Sequence, residues 1–403
     1  MSSVINRPES LRRLGTALKR SPVTALLGPR QCGKTTLARM LSRNWKPVYF
    51  DLELEADRSR LRNAALVLGP IRGTVVLDEA QLMPELFGTL RVLVDRPGVR
   101  ARFLILGSAS PFLVQGVSES LAGRVEFIEL SGFDLGETGG PSWEKLWVRG
   151  GFPRSFLARS EDDSVAWRES FIRTFLERDI PQLGITVPGA AMRRFWTMLA
   201  HYHAQTWNAS KLGRSMGLSD KTVRSYLDLL TGTFLVRQLQ PWYENLAKRQ
   251  VKAPKVYLRD SGILHSLLGL ENRHGVLGHP QAGASWEGFA LEQVLGAIRP
   301  GEAYYWSTHG GAELDLFFLH RGQRFGVEFK LTEAPVVTRS MRTAMEDLRL
   351  RHLWVVHAGE HSFPMEDRIT AWPLRDIAEL PAHLGGGSRR KRPGRSVPWS
   401  RNN

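Results

Sequence analysis

Residues 28–35 read Gly28-Pro29-Arg30-Gln31-Cys32-Gly33-Lys34-Thr35. They match G-x-x-x-x-G-K-[ST] in full, with an apolar run (VTALL) before them and a helix-forming run (TTLARMLS) after. Glycines at both ends let backbone N–H groups close around a phosphate, and a helix starting at Lys34, Thr35 and Thr36 adds positive potential. Lys34 is placed to neutralise the β- and γ-phosphates of a nucleoside triphosphate, and the Thr35 hydroxyl to ligate Mg²⁺. A second run, Thr74-Val75-Val76-Leu77-Asp78-Glu79, ends in two carboxylates. Asp78 suits the Mg²⁺ shell and Glu79 a general base for water; the alternative is that the pair only caps the next helix. Ser108 follows the run RFLILG and is a candidate γ-phosphate sensor, beside the alternative of a helix N-cap at Ser110 before Pro111. Arg124, in SLAGR, is a candidate arginine finger supplied in cis or by a neighbouring subunit, or else a plain surface arginine.

A second group lies near the C-terminus. The run Glu313-Leu314-Asp315-Leu316 is followed, after a turn at Arg321-Gly322, by Val327-Glu328-Phe329-Lys330. With a period of two, Glu313 and Asp315 share one face, and Glu328 and Lys330 share a face of the next strand. Such a set can hold Mg²⁺ beside a scissile phosphate, with the lysine activating water or stabilising charge. The preceding helical run, 286–298, offers Glu287 in line with Leu291, Leu295 and Ile298, so Glu287 faces the sheet and Glu292 points elsewhere. The alternative is an edge hairpin with ordinary ion pairs.

The elements that must position these groups follow from periodicity. Residues 1–135 alternate β-branched runs (23–27, 47–51, 74–78, 102–106, 125–130) with helical patterns, the mark of a parallel α/β sheet. Residues 136–195 read as a helical linker region. Residues 196–270 are helical with a hairpin-like stretch at 234–242, and residues 283–380 return to mixed α/β. Within the third segment, a short helix, a glycine turn and an N-cap Ser219 introduce a second helix. That helix buries Val223, Tyr226, Leu227 and Leu230 and turns Lys221, Thr222, Arg224 and Ser225 outward.

Composition removes several classes. The chain has 403 residues, 42% hydrophobic and 24% charged, which is globular usage. No apolar run approaches the roughly 20 residues of a membrane span, and MSSVINRPESLRRL lacks the apolar core of a secretory leader; a cytoplasmic protein without membrane attachment is expected. A single cysteine, Cys32, excludes an internal disulfide or a multi-cysteine zinc site. The net charge of +15 points to a polyanionic partner. Residues 385–403 contribute +6 of it and read as a disordered basic tail, either a nucleic-acid arm or a solubilising segment.

Taken in order, GPRQCGKTT, VVLDEAQ, LILGSAS, LAGRV, GGFPR (150–154) and FLERDIP (175–181) resemble the AAA-type P-loop ATPases of bacteria and archaea that carry a C-terminal domain of unknown function. The resemblance covers about residues 10–380. It implies ATP as ligand, a five-stranded parallel sheet in the order 5-1-4-3-2, and site roles for Gly28, Gly33, Lys34, Thr35, Asp78, Glu79, Ser108 and Arg124. The third segment resembles a winged helix-turn-helix, with 234–242 as its wing; such modules bind DNA or proteins. The fourth resembles the PD-(D/E)xK restriction-endonuclease-like fold, with Glu287, Asp315, Glu328 and Lys330 at its site. The expected protein is therefore an ATPase whose nucleotide state is coupled to a DNA-directed C-terminal half, and a homo-oligomer if Arg124 acts in trans. An ATP-gated metal-dependent nuclease and a non-nucleolytic switch acting on DNA or a protein are the alternatives.

Overall fold

A computed structural model describes residues 5–98, 101–108, 111–182, 187–243 and 253–385. The expected basic tail lies almost wholly outside these residues, as does Ser110. The N-terminal strands are β1 (Val23–Gly28), β2 (Val48–Asp51), β3 (Gly73–Asp78), β4 (Ala101–Ser108) and β5 (Val125–Glu129). They form one parallel sheet in the order β2-β3-β4-β1-β5, the expected order read from its other edge.

Both faces of this sheet are covered, which is why its strands read as unbroken apolar runs. Val23, Ala25, Leu27, Val75, Leu77, Phe103 and Ile105 pack on one face against Phe87, Leu90 and Leu93 of the helix Leu86–Asp95. Leu26, Val76, Leu104 and Leu106 point the other way, onto Leu14 and Leu18 of Pro8–Arg20 and Leu37 and Leu41 of Lys34–Trp45. The second core does not stop at the sheet. It continues through Phe152, Phe171, Phe175, Phe195 and Trp196 to Leu227 and Leu258.

Beyond β5 the described residues are mostly helical to about residue 232, with Glu161–Thr174, Gly189–His201, Ala209–Met216 and Asp220–Gly232 as the longer helices. The expected short helix, glycine turn and capped second helix are present. Asn208 and Ser219 accept hydrogen bonds from Lys211 N and Thr222 N and so cap the two helices, and Gly217 turns the chain between them in the left-handed region.

The expected hairpin at 234–242 is not formed. The stretch is one strand, β7 (Val236–Pro241), which pairs antiparallel with β8 (Lys255–Leu258), and β8 in turn pairs with the short β6 (Gln205–Thr206). The stretch runs straight as a single strand, and its partner comes from further along the chain. β7 also pairs in parallel with β9 (Ala303–Ser307) through Gln240 and Pro241. This joins the three-stranded unit to β10 (Glu313–His320), β11 (Gln323–Lys330), β12 (His352–His357), β13 (Phe363–Glu366) and β14 (Ile369–Pro373). Among the described residues, the result is a nine-stranded sheet in the order β13-β14-β12-β11-β10-β9-β7-β8-β6. The helix Ala282–Ile298 covers one side with Trp286, Phe289 and Val294, and Arg339–Asp347 covers the other with Met341 and Met345.

Candidate functional site

The phosphate loop leaves the C-terminal end of β1. A Cβ on Gly28 would stand 2.0 Å from the Leu130 carbonyl oxygen, so only glycine lets β1 and the β5 end approach this closely. Gly33 has φ +102, a conformation that L side chains rarely adopt and glycine takes freely. Lys34 is buried and donates to the carbonyl oxygens of Gly28 and Pro29, both at 2.9 Å. The Thr35 hydroxyl donates to Asp78 Oδ2 at 3.0 Å, and Tyr49 OH donates to the same oxygen. Tyr49 is therefore a partner of the acid that sequence reasoning missed. Burial first, then the Asp78 hydrogen bond, push its phenol well above the usual range. Glu79 follows in a left-handed conformation with φ 53 and accepts from Gln81 Nε2. Such a conformation is uncommon for a non-glycine residue, and here it turns the carboxylate into the cleft.

The cleft has a volume of about 690 Å³. Its floor is Arg30 to Thr36, including Gln31 and Cys32, with Glu79 at one side. Ile5, Met40, Phe133, Pro153 and Leu157 supply an apolar end fit for a base. Cys32 is buried with its thiol toward the Leu130 carbonyl oxygen, so it is a packing residue. Ser108 ends β4 in register with Gly28, beside the loop.

Three arginines at the cleft were not singled out from the sequence. Arg7 is a strut: it donates to Glu137 at 2.7 Å and to the Cys32, Ser131 and Gly132 carbonyls at 3.0 to 3.2 Å. Arg154 and Arg178 are exposed and line the cleft, and no ion pair is formed by either among the described residues. Arg178 sits on a π-helical turn, Phe175–Asp179, whose Asp179 pairs with Arg30 of the phosphate loop. Their signal in the sequence was the position of GGFPR and FLERDIP, which carried no chemistry until the fold folded them back.

Arg124 is elsewhere. It immediately precedes β5, at the end of the sheet opposite the loop, and holds Asp95 in a two-pronged ion pair at 2.7 and 2.8 Å. It does not reach the cleft of its own chain.

The C-terminal acids do assemble. Asp315 on β10 accepts from Phe329 N on β11 at 3.0 Å, and Lys330 donates to Glu328 at 2.8 Å. Glu287 is on the sheet-facing side of its helix and accepts from Tyr257 OH at 2.7 Å. Glu292 is separate, as expected, in a buried network with Arg237 and Arg259. Burial alone would raise Glu292, but the two guanidiniums outweigh it and hold the carboxyl down at about 2. The residue not foreseen is Lys255, whose buried ammonium lies 3.2 Å from Glu287, 3.6 Å from Asp315 and in contact with Glu313. Among the described residues, no three His, Cys, Asp or Glu side chains stand in an arrangement that holds a metal ion. Burial, then the Asp315 charge, raise Glu287 to about 7 and Glu328 to about 8.

The parallel sheet, the loop after β1 and the acid pair after β3 together define an AAA-type P-loop ATPase with C-terminal regions of unassigned function. The AAA domain family matches residues 20–139, and two domains of unknown function, DUF8612 and DUF4143, match residues 140–274 and 282–377. Two mycobacterial proteins, Uncharacterized protein Mb2031c of Mycobacterium bovis and Uncharacterized protein Rv2008c of Mycobacterium tuberculosis, are each 50% identical over 374 residues, 93% of this chain and 85% of theirs. The chain belongs to the family of these proteins. Among solved structures, the Walker-type ATPase paby2304 of Pyrococcus abyssi is similar at 14% identity and a TM-score of 0.48, over 66% of this chain and 96% of that one. The Bacillus subtilis DNA clamp loader delta protein is similar at 10% identity and a TM-score of 0.27, over 55% of this chain and 88% of that one. No helix among the described residues is long and apolar enough to cross a membrane.

Proposed function

We propose that the protein hydrolyses ATP at the β1 loop and uses the nucleotide state to reposition a DNA-directed C-terminal half without cutting DNA. The observation that carries this reading is the composition of the cleft: its floor is the phosphate loop, while Pro153, Arg154, Leu157 and Arg178 come from the region that also holds the helix–turn–helix. A nucleotide bound there touches both.

Lys34 leaves the loop carbonyls it now contacts and turns to the β- and γ-phosphates. Thr35 and Asp78, already within hydrogen-bond distance, fit as ligands of Mg²⁺, which neutralises phosphate charge when bound. Glu79 takes the proton of the attacking water, and Ser108 is the polar group at the end of β4. Arg124, too remote in its own chain, acts on a neighbouring subunit in a homo-oligomer.

The helix Asp220–Gly232 with Lys221 and Arg224 outward, the helix Ala209–Met216 with Lys211 and Arg214 outward, and the β6-β8-β7 unit together resemble a winged helix. That face is the proposed DNA surface. The test is DNA binding by fluorescence anisotropy with ATP, ADP or no nucleotide, beside cleavage of labelled DNA in Mg²⁺ or Mn²⁺. Affinity that shifts at least several-fold between nucleotide states, and is fixed in Lys34→Ala, is the expected result. Affinity indifferent to nucleotide would refute the coupling, and cleavage abolished by Lys330→Ala would replace this reading with the nuclease one.

A further inference from the structure

The acidic set of the C-terminal sheet is composite. Glu287, Glu313 and Asp315 belong to the segment matched at 282–377, but the cation between them comes from β8, inside the segment matched at 140–274. Lys255 is only 5% exposed at its side chain and has the Tyr305 ring 5.7 Å away. Tyr257, two residues on along β8, binds Glu287 from the same strand. We propose that Lys255 is the resident cation of this site: its ammonium fills the seat that a divalent ion takes in a nuclease of this shape, and thereby clamps β8 to the C-terminal sheet.

The physical case rests on charge and geometry. Asp315 and Glu287 are largely out of water and Glu313 stands at the half-exposed rim; carboxylates gathered this closely repel, and the buried pair needs a compensating cation. The Lys255 ammonium donates to Glu287, touches Glu313 and lies 3.6 Å from Asp315, so one cation answers all three charges. A lysine held by the backbone of β8 is present at an effective concentration that free Mg²⁺ does not reach. Glu328 is left outside the seat. One of its oxygens takes Lys330, and the other is buried with no hydrogen-bond partner among the described residues, so it is not shared with the seat's cation. The expected metal set of Glu287, Asp315 and Glu328 is thus divided between two lysines, and the residues as arranged do not fit a metal.

Two measurements on the full chain test this. Thermal midpoints of wild type and Glu328→Gln are compared with and without millimolar Mn²⁺; equal Mn²⁺ shifts in both are expected, because any ion bound then sits at the phosphate loop. A stabilisation of wild type by Mn²⁺ that Glu328→Gln removes would overturn the proposal. The second measurement is a double-mutant cycle. Lys255→Met is expected to lose several degrees and to regain part of them when Glu287→Gln is added, since the second change removes a carboxylate left uncompensated. A further fall on adding Glu287→Gln would overturn it. If Lys255→Met alone does not fold, the Mn²⁺ comparison still decides, and Lys255→Arg, which keeps the charge, is expected to fold and to remain insensitive to Mn²⁺ through this site.

Discussion

Lys34 and Glu79 differ in what they hold before ligand arrives, and their variants should differ accordingly. Lys34 is bonded to Gly28 and Pro29, so Lys34→Ala removes both a loop tie and a phosphate partner. It is expected to lose ATP binding in a fluorescent-nucleotide titration along with hydrolysis. Glu79 is held by Gln81 at the cleft edge, and Glu79→Gln should bind ATP yet hydrolyse it about 10²- to 10⁴-fold more slowly, the usual contribution of a general base. Arg178 and Arg154 line the cleft and, among the described residues, form no ion pair, unlike Arg7 and Arg30. Arg178→Ala should therefore lower kcat by about tenfold or more with little change in ADP affinity, if its partner is the γ-phosphate. Arg124 makes the opposite prediction. Arg124→Ala and Lys34→Ala, each inactive alone, should regain hydrolysis when mixed, because a hybrid assembly has intact loops facing intact arginines. Mixtures that stay inactive would return Arg124 to the role it shows here, an ion pair with Asp95.

At the scale of elements, the sequence was legible wherever one local signal set the outcome. The strands around the loop were readable because burial on both faces demands continuous apolar runs, and the capped turn at 217–219 because glycine and serine act locally. Glu287 was correctly turned toward the sheet by helical periodicity alone. What escaped were long-range partners: β8 for β7, Lys255 for the acids, Arg178 for the cleft. None of these leaves a periodic trace, because each depends on how separate segments meet. The same meeting explains two buried histidines. Leu258 N donates to His203 Nδ1 at 3.0 Å, which requires a neutral ring. His265 Nδ1 lies 3.0 Å from the Val148 carbonyl, so it carries the proton, and Nε2 accepts from Ser285. Burial holds His265 down at about 4. The unfolded chain thus takes up a proton at His265 near pH 6.5 while the folded one does not, and this residue's contribution, complete above that pH, falls as pH drops toward 4. His265→Gln should be less stable than wild type at pH 7.5, with the gap narrowing by about 1.4 kcal/mol per pH unit below 6.5 in urea titrations. Glu287 and Glu328, whose raised values favour the folded state on acidification, cancel in this difference. Helix Ala282–Ile298 closes on His203 so tightly that a Cβ on Gly288 would stand 2.1 Å from Nε2, so Gly288→Ala should cost about 1–3 kcal/mol in the same assay.

For the whole molecule, continuity is the feature that matters. One apolar core runs from Leu26 beside the phosphate loop to Leu227 and Leu258 beneath the outward lysine and arginine of Asp220–Gly232. Packed cores respond to a shift at one edge as bodies rather than as soft media. On the proposed coupling, a change at Arg178 and the Arg30–Asp179 pair would be delivered to the second capped helix, and through the β7–β9 pairing to the C-terminal sheet. The proposed DNA contact at that face would have an electrostatic signature: each phosphate contact adds about 0.9 to the slope of log affinity against log salt. Lys221→Ala with Arg224→Ala should then flatten the slope by about 2, uniformly across DNA sequences, if both touch phosphates. Removing residues 386–403 should flatten it further if the basic tail is a nucleic-acid arm, and leave it unchanged if the tail only solubilises. The decisive comparison is between nucleotides. In ATP the wild-type slope should differ from that in ADP, because repositioning changes how many cations meet the backbone, while in Lys34→Ala the two slopes should coincide. Equal slopes in wild type would mean that the core carries no motion between the sites, and that ATP turnover and DNA contact are independent properties of one chain.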